Sequence, residues 1–416
     1  MLFPSEYPTF YNVIQSEAKD LGNIRQKTSS YRNFSTEVHC NYLMLSESEF
    51  PEKDFAKIKI FYIFAALKVK QIKKGNSMKC FNVFVLIGLF VFCSCGESNQ
   101  NVTRLKEIPY KIVSDSIYSS MPGDILYQDG IVYWQDARGF ENFMHAIDVQ
   151  TGKEMACFGN LGQGPEDFSV PEFSLSPNGG LYLNDVEKPL EVLYRFSSGK
   201  GAFQSSARKY FNERNATSLL HLGDDQLLYL CPMKDKLFHI YSNDIPAVAF
   251  GERPITDEIN NPYDIFQGKI GYNPHRNLLV YSTNRFPYIA VYRNQEMKNW
   301  LKIAEVRADW DYTVSEGDLR FSPSVKHGAW EMALTDDYVV LLQRDDEVEE
   351  TMDRKTEGRD MSSIPSSLFV YDYNLNLKKI INMPFRMLRL CGDVESNTVY
   401  AMAINPEFEL ISIDLE

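Results

Sequence analysis

The sequence lacks any apolar run long enough to cross a bilayer as a helix, which takes roughly 20 residues. Its longest apolar stretches, residues 58–67 and 81–92, are clearly shorter. It also lacks the C-x-x-C, H-x-H and H-E-x-x-H spacings of common redox and zinc sites, so we predict no metal site and no cofactor. No G-x-S-x-G elbow or phosphate-loop Lys-Ser/Thr occurs, so nothing indicates a serine hydrolase or a nucleotide-binding loop.

Basic residues are fewer than acidic residues. The chain has 43 Lys and Arg against 56 Asp and Glu, a net charge of −13. Residues 1–94 hold more basic than acidic residues, so the remainder is more acidic than the whole. Such a surface repels phosphate backbones, and we therefore predict no nucleic-acid partner. Acidity suits a soluble exported protein.

The most informative segment begins at Met78. A short basic head is followed by the apolar run 81–92 and by Cys93-Ser94-Cys95, the three-part pattern of a bacterial export signal. Its ending resembles a lipoprotein signal, which implies that Cys95 is acylated. We predict a signal peptide at 78–94, a flexible tether at 95–104 and a lipid-anchored protein of the cell envelope, on the periplasmic or surface face of the outer membrane.

Residues 1–77 fit no structural pattern. Export signals begin at the N-terminus, so we predict that this segment is untranslated or disordered and that translation starts at Met78. A cytoplasmic extension with an internal membrane anchor is the alternative. Downstream of the signal, only Cys157, Cys231 and Cys391 remain. One disulfide is open to them, but we expect three buried, small hydrophobic side chains.

From residue 105 onward the chain is a series of short β-type runs separated by Gly, Asn, Asp and Pro turns. Six of these runs look equivalent and recur at intervals of 47 to 61 residues. Their markers are Tyr133, Tyr182, Tyr229, Val280, Leu341 and Tyr400. Further apolar runs precede and follow each marker, which gives the three to four strands of a β-propeller blade.

The sequence thus predicts an all-β fold, a six-bladed β-propeller over residues 105–416. The last repeat, from Met387 onward, has only three strands. We expect the segment 106–113 to supply the fourth by pairing with the strand near 408–414, because joining the two termini in one blade removes an open edge.

The segment 159–168 (GNLGQGPEDF) resembles the G-x-G-P-x-[DE]-F motif of TolB-like six-bladed propeller lipoproteins of Bacteroidetes. That resemblance covers about residues 105–416 and implies an exported propeller, usually without an assigned activity. We interpret the segment as a corner between blades, with a ligand-binding rim loop as the alternative. The residues concerned are Gly162, Gly164, Pro165, Glu166 and Phe168. Gly162 and Gly164 allow positive φ, Pro165 fixes the backbone of the next residue, and Phe168 can pack between blades.

Other candidate site residues are weaker. Asp185 and Glu187, or Arg344 and Asp345, follow marker strands and are candidates for the channel mouth. The acidic insertion 344–367 lacks calcium-loop spacing, so we expect a solvated loop. Trp300 and Trp310 are the aromatic residues that we expect to be partly exposed. His145 and His239 hold corresponding third-strand positions, which favours packing over metal binding.

The function that we expect is binding or scaffolding of a protein or glycan at the envelope, and we assign no catalytic residue. One alternative is a carbohydrate lyase or hydrolase with carboxylates at the channel mouth, where six blades bring distant side chains together. The other is a structural subunit of an outer-membrane complex. Converging histidines and carboxylates in the channel would favour an enzyme, and exposed aromatics without them would favour binding.

Overall fold

The computed structural model describes residues 102–139, 141–197, 199, 201–208, 213, 216–295, 299–308, 310–345 and 363–416. Residues 1–77, the predicted signal peptide, Cys95 and most of the fifth-repeat insertion lie outside these residues. Within them, no helix is long and apolar enough to cross a membrane. The described chain forms six antiparallel sheets arranged as a ring, which confirms the predicted six-bladed propeller.

The first three blades each have four strands in chain order. Blade 1 is formed by β3 (Pro122–Gln128), β4 (Ile131–Asp136), β5 (Met144–Asp148) and β6 (Glu154–Phe158). Blade 2 is formed by β7 (Pro171–Leu175), β8 (Leu181–Asp185), β9 (Glu191–Ser197) and β10 (Ala202–Arg208). Blade 3 is formed by β11 (Ser218–Gly223), β12 (Gln226–Leu230), β13 (Phe238–Ser242) and β14 (Ile245–Phe250).

The remaining blades carry additions. Helix α1 (Pro262–Phe266) precedes blade 4, which is formed by β15 (Gly268–Asn273), β16 (Leu278–Thr283), β17 (Tyr288–Asn294) and β18 (Trp300–Arg307). A hairpin of β19 (Tyr312–Ser315) and β20 (Asp318–Phe321) follows. Blade 5 contains β21 (Glu331–Leu334), β22 (Tyr338–Gln343), β23 (Ser367–Asp372) and β24 (Leu377–Asn382), and blade 6 contains β25 (Arg386–Gly392), β26 (Thr398–Ile404) and β27 (Phe408–Asp414). The hairpin accounts for the long fourth interval between repeats.

The N-terminal segment closes the ring as predicted, with different bounds. Strand β2 (Tyr110–Ser114) pairs antiparallel with β27 and completes blade 6, with Tyr110 opposite Ile413. A second strand, β1 (Thr103–Leu105), pairs in parallel with β24 of blade 5. Thr103 and Arg104, the end of the predicted tether, therefore lie in a strand. The N-terminus thus covers edges on two blades, which leaves fewer strands open to aggregation.

All six marker residues lie in the second strand of their blade. These strands are almost completely buried because each sheet has a neighbouring sheet on both faces; β16, for example, is buried at every position. The first strands of adjacent blades, β3, β7, β11, β15, β21 and β25, contact one another in sequence, and β25 returns to β3. They surround the axis of the ring.

Apolar clusters fill most junctions between blades. Blades 3 and 4 share a cluster rich in aromatic side chains, and blades 4/5, 5/6, 6/1 and 1/2 share clusters of Leu, Ile, Val and Phe. The junction of blades 2 and 3 differs, because buried polar residues occupy it. We call it the polar junction; its central residues are Ser174, Glu191 and His221.

Candidate functional site

The six first strands surround a channel with a cavity of about 200 Å³. Asp124 of β3, Glu172 of β7, Lys269 of β15 and Glu331 of β21 line it, and Arg389 of β25 joins them through ion pairs. We call these five residues the channel charge ring. Each lies in a first strand, four of them within three residues of its start, and each comes from a different blade. Closure of the ring is therefore what brings them together.

Two cations bridge two carboxylates in this ring. Lys269 Nζ lies 2.9 Å from Glu331 Oε2 and 3.4 Å from Asp124 Oδ1. Arg389 Nε lies 3.1 Å from Asp124 Oδ1, and its NH1 atom lies 3.5 Å from Glu331 Oε1. The side chain of Asp124 is 56% exposed, against 8% for that of Glu331. Asp124 thus lies at the open end of the channel.

The carboxylates of the ring have different proton affinities. Burial and the Asp124 charge raise the pKa of Glu172 to about 7. Burial also raises the pKa of Glu331, against the opposing charges of Lys269 and Arg389. At Asp124 the charges of Lys269 and Arg389 outweigh burial and lower the pKa. The channel therefore holds an ionised aspartate beside a glutamate that titrates near neutral pH.

Glu172 is the side chain of the ring that has no hydrogen-bond donor or cation among the described residues. Lys269 and Arg389 are both engaged by Asp124 and Glu331. A partly buried carboxylate without a partner is unfavourable, and a donor from outside would relieve it. The channel charge ring thus presents one open acceptor.

The loop 161–168 joins blade 1 to blade 2. Phe168 is fully buried and packs edge-to-face on Phe143, with ring centroids 5.8 Å apart, in the apolar cluster of that junction. Lys188 Nζ donates to the carbonyl oxygens of Gly162 and Asp167, at 3.0 and 2.8 Å. Pro165 and Glu166 are exposed. The loop is tied to blade 2 and presents its tip to solvent; its role as corner or ligand rim stays a prediction.

The glycines of this loop serve a different purpose from the one expected. Neither Gly162 nor Gly164 has a positive φ. A Cβ atom at Gly162 would lie 2.4 Å from Asp167 Oδ2, and one at Gly164 would lie 2.6 Å from the same atom. Gly164 N donates to that carboxylate at 2.8 Å. The Asp167 side chain folds back over the loop, and a Cβ atom at either glycine would displace its carboxylate.

Other candidates lie away from the channel. Asp185 is buried and accepts hydrogen bonds from the backbone N–H groups of Glu187 and Lys188, at 2.8 Å each, so it organises its own turn. Glu187 is exposed and does not line the cavity. Asp345 is buried and forms a 2.5 Å ion pair with Arg104 of β1. Asp185 and Asp345 thus have structural partners instead of channel positions.

The prediction that Trp300 and Trp310 are both partly exposed was wrong for Trp300. Trp300 is 6% exposed and stacks on Phe250, with ring centroids 5.1 Å apart. Trp310 is partly exposed, as predicted, and packs edge-to-face on Phe286, with ring centroids 4.7 Å apart. The exposed tryptophan among the described residues is Trp330, at 39%. The charged residues near Trp300 in the sequence suggested exposure, but its ring packs in the apolar cluster shared by blades 3 and 4.

The polar junction contains a chain of hydrogen bonds. Ser174 Oγ bonds to His221 Nδ1, and His221 Nε2 lies 2.9 Å from Glu191 Oε2. Asn184 Nδ2 donates to Glu191 Oε2 at 2.6 Å, and Arg208 forms an ion pair with Glu191. The serine, histidine and glutamate resemble a hydrolytic triad in order, but all three are buried. Without access for a substrate, the arrangement is blade packing.

Comparisons with known proteins agree with the fold. The family described as TolB-like 6-blade propeller-like matches residues 105–391. The chain belongs to this TolB-like family. A search of curated protein sequences gave no match.

Many solved structures resemble this TolB-like chain, and two of them illustrate the match. A member of the DUF4221 family from Bacteroides vulgatus is 10% identical, with a TM-score of 0.46, over 76% of this chain and 98% of its own. The β-propeller domain of Cps50 (Swd1) from Myceliophteria thermophila is also 10% identical, with a TM-score of 0.39, over 73% of this chain and 99% of its own. A propeller fold of this kind is compatible with a binding or scaffold module.

The channel charge ring was not predicted from the sequence. A signal was present: a charged residue in the first strand of five repeats, among mostly apolar neighbours. It was weak because strand starts commonly carry charges. Converging histidines and carboxylates in the channel were the feature expected of an enzyme. Carboxylates do converge there, but no histidine lines the channel among the described residues.

Proposed function

We propose that the protein is a lipid-anchored binding module of the cell envelope that takes a protein or glycan partner at the channel charge ring. The single observation that carries this proposal is Glu172, an acceptor without a donor in an open channel whose two cations are already engaged. A sugar hydroxyl or a basic peptide side chain would supply the missing hydrogen bond. A partner that enters the channel would contact Asp124 first, because Asp124 lies at the exposed end.

The shape of the site supports binding of a small group over a large surface. A cavity of about 200 Å³ accepts one residue of a longer partner, such as a terminal sugar or a side chain, and little more. The loop whose exposed tip is Pro165 and Glu166 leads into the start of β7. Glu172 is the second residue of that strand. The loop would therefore border a bound partner.

The binding test compares Glu172→Gln with Glu187→Gln, both in purified full-length chain. Glu187 is an exposed glutamate that does not line the cavity, so it controls for the loss of one negative charge. We expect Glu172→Gln to weaken capture on a glycan array, or cross-linking to a protein of added envelope membranes, by about 10- to 100-fold, since a hydrogen bond to a charged group contributes roughly 1.5–3 kcal/mol. Equal capture by both variants would contradict binding at the channel.

The envelope location is tested separately. Metabolic labelling with a clickable palmitate analogue should mark the chain and place it in the membrane fraction. Cys95→Ser should abolish both, whereas Cys93→Ser, a matched change two residues earlier, should preserve them. Labelling that survives Cys95→Ser would refute the anchor without bearing on the channel.

A second candidate function is carbohydrate cleavage. Asp124 and Glu172 have pKa values moved in opposite directions, which is the pattern of an acid and a base sharing one site. Incubation with a panel of polysaccharides and an assay for new reducing ends or unsaturated products would reveal it. Turnover by the unaltered chain that is lost in Glu172→Gln would establish the enzyme; capture without turnover would support the binding module.

A further inference from the structure

A second cluster of reactive side chains lies on the outer half of blade 1, independent of the channel. His145 of β5, Glu154 of β6 and Cys157 of β6 place their ligand atoms within 4.8 Å of one another. His145 Nδ1 lies 2.7 Å from Glu154 Oε2 and 3.4 Å from Cys157 Sγ. Cys157 Sγ donates to Glu154 Oε1 at 2.9 Å. One nitrogen, one sulfur and one carboxylate thus converge on one point.

A β-bulge creates this cluster. His145 and Cys157 are directly opposite one another, so they share one face of the sheet. In a regular strand, Glu154 would face the other side, because it is three residues from Cys157. The register shifts after Ala146, and Glu154 pairs with Ile147, two residues from His145. The extra residue brings Glu154 onto the face of Cys157, as bulges often re-aim a side chain.

The cluster is accessible and partly pre-organised. Glu154 and Cys157 are exposed, and the His145 side chain is 19% exposed. The imidazole stacks on Trp134 of β4, with ring centroids 4.2 Å apart and planes within 13°, which restrains its orientation. Cys157 is a free thiol and is exposed, so the prediction that all three cysteines are buried was wrong for Cys157. Cys231 and Cys391 are free and buried in other blades, so neither is its disulfide partner.

The spacing of the three atoms suits a tetrahedral ion. Zinc bonds of roughly 2.3 Å to sulfur and 2.0–2.1 Å to nitrogen or oxygen imply ligand-to-ligand separations of about 3.3–3.6 Å. The observed separations of 2.7, 2.9 and 3.4 Å need to widen by less than about 1 Å. Rotation of the exposed Glu154 side chain achieves this without backbone movement.

A nucleophilic role for the thiol fits less well. Although Cys157 is exposed, partial shielding of its thiol from water, together with the Glu154 carboxylate, raises its pKa to about 12. The thiol is therefore protonated in the metal-free protein, whereas thiol nucleophiles react as thiolates with lowered pKa values. A divalent cation would favour the thiolate form of Cys157, since it replaces the proton on sulfur and neutralises the carboxylate.

We infer that His145, Glu154 and Cys157 form a Zn²⁺ site with three protein ligands and a fourth position open to water. Nitrogen, sulfur and carboxylate oxygen together suit zinc better than the hard cations calcium and magnesium, which take oxygen ligands alone. On binding, Cys157 releases its proton to solvent and its sulfur becomes a thiolate ligand.

The experiment is a titration of purified full-length chain with ZnCl₂ by calorimetry, and with CoCl₂ by absorption spectroscopy. The chain has further cysteines near its N-terminus, so the quantity of interest is the difference between the unaltered chain and Cys157→Ser. We expect one additional Zn²⁺ equivalent in the unaltered chain and a sulfur-to-cobalt charge-transfer band that Cys157→Ser removes. His145→Ala should weaken that equivalent by about 100-fold or more, since loss of outer-shell partners alone costs roughly 10–100-fold.

His239→Ala is the matched control. His239 holds the corresponding third-strand position in blade 3, but Ala249 is opposite it and supplies no ligand. This variant should bind zinc like the unaltered chain. Equal stoichiometry and affinity in the unaltered chain and Cys157→Ser, or a charge-transfer band that survives in Cys157→Ser, would overturn the inference.

Discussion

Glu172→Gln should stabilise the protein at alkaline pH and leave it unchanged at acidic pH. The raised pKa of Glu172, about 7 against an ordinary value of 4.5, means that the folded chain holds this proton more tightly than the unfolded chain. The free energy of unfolding therefore falls as the pH rises from about 4.5 to 7, and the loss persists above pH 7. Glutamine mimics the protonated side chain and removes that loss.

The magnitude follows from the same two values. A pKa difference of about 2.5 corresponds to roughly 3 kcal/mol at 1.36 kcal/mol per pH unit. Water in the channel screens part of the charge, because Glu172 is only partly buried. We therefore expect Glu172→Gln to raise the free energy of unfolding by about 1–3 kcal/mol at pH 8. At pH 4.5 the two proteins should differ by less than about 0.5 kcal/mol.

Urea unfolding at pH 4.5, 6 and 8, followed by tryptophan fluorescence, measures this difference. Other groups that titrate in the same range cancel when the variant is compared with the unaltered chain at each pH. Glu187→Gln, an exposed site, controls for the change in net charge and should show no pH-dependent gain. A stability difference for Glu172→Gln that is the same at all three pH values would refute the reasoning.

Three further substitutions test the fold. Ile112→Pro in β2 should cost about 3 kcal/mol and promote self-association on gel filtration, because proline disrupts the strand that closes the ring; Ile112→Ala should be nearly neutral, since that side chain is 54% exposed. Phe168→Ala should cost about 3–5 kcal/mol in urea unfolding, whereas Val170→Ala, at a 44% exposed position, should change little. Glu191→Ala should cost about 3 kcal/mol and lower the melting temperature, because it leaves His221 and Arg208 without their shared acceptor.

The blade pattern was predictable because it is local. Each second strand contains an uninterrupted apolar run such as Leu227–Leu230, and a polar turn precedes it. Closure was predictable for the same reason: the last repeat was one strand short and the segment after the tether carried a β-type run. The parallel pairing of Thr103–Leu105 with β24 was not, because three residues of ordinary composition carry no signal for a partner 270 or more residues away.

The sites were much less predictable. The channel charge ring depends on bringing five blades together, and sequence alone does not reveal which residue of each first strand faces the axis. The zinc cluster depends on one inserted residue in β6, and strict alternation places Glu154 on the wrong face. Cys157 was expected to be buried on the general behaviour of free cysteines, whereas its place in the edge strand of blade 1 exposes it.

The polar junction makes one of the six contacts between blades sensitive to acid. Burial lowers the pKa of His221, and hydrogen bonds from His221 and Arg208 lower that of Glu191 against the effect of burial. Both lowered values favour the folded state at neutral pH, and both contributions disappear as the pH falls. Acid would therefore weaken the contact between blades 2 and 3, and with it the closure of the ring.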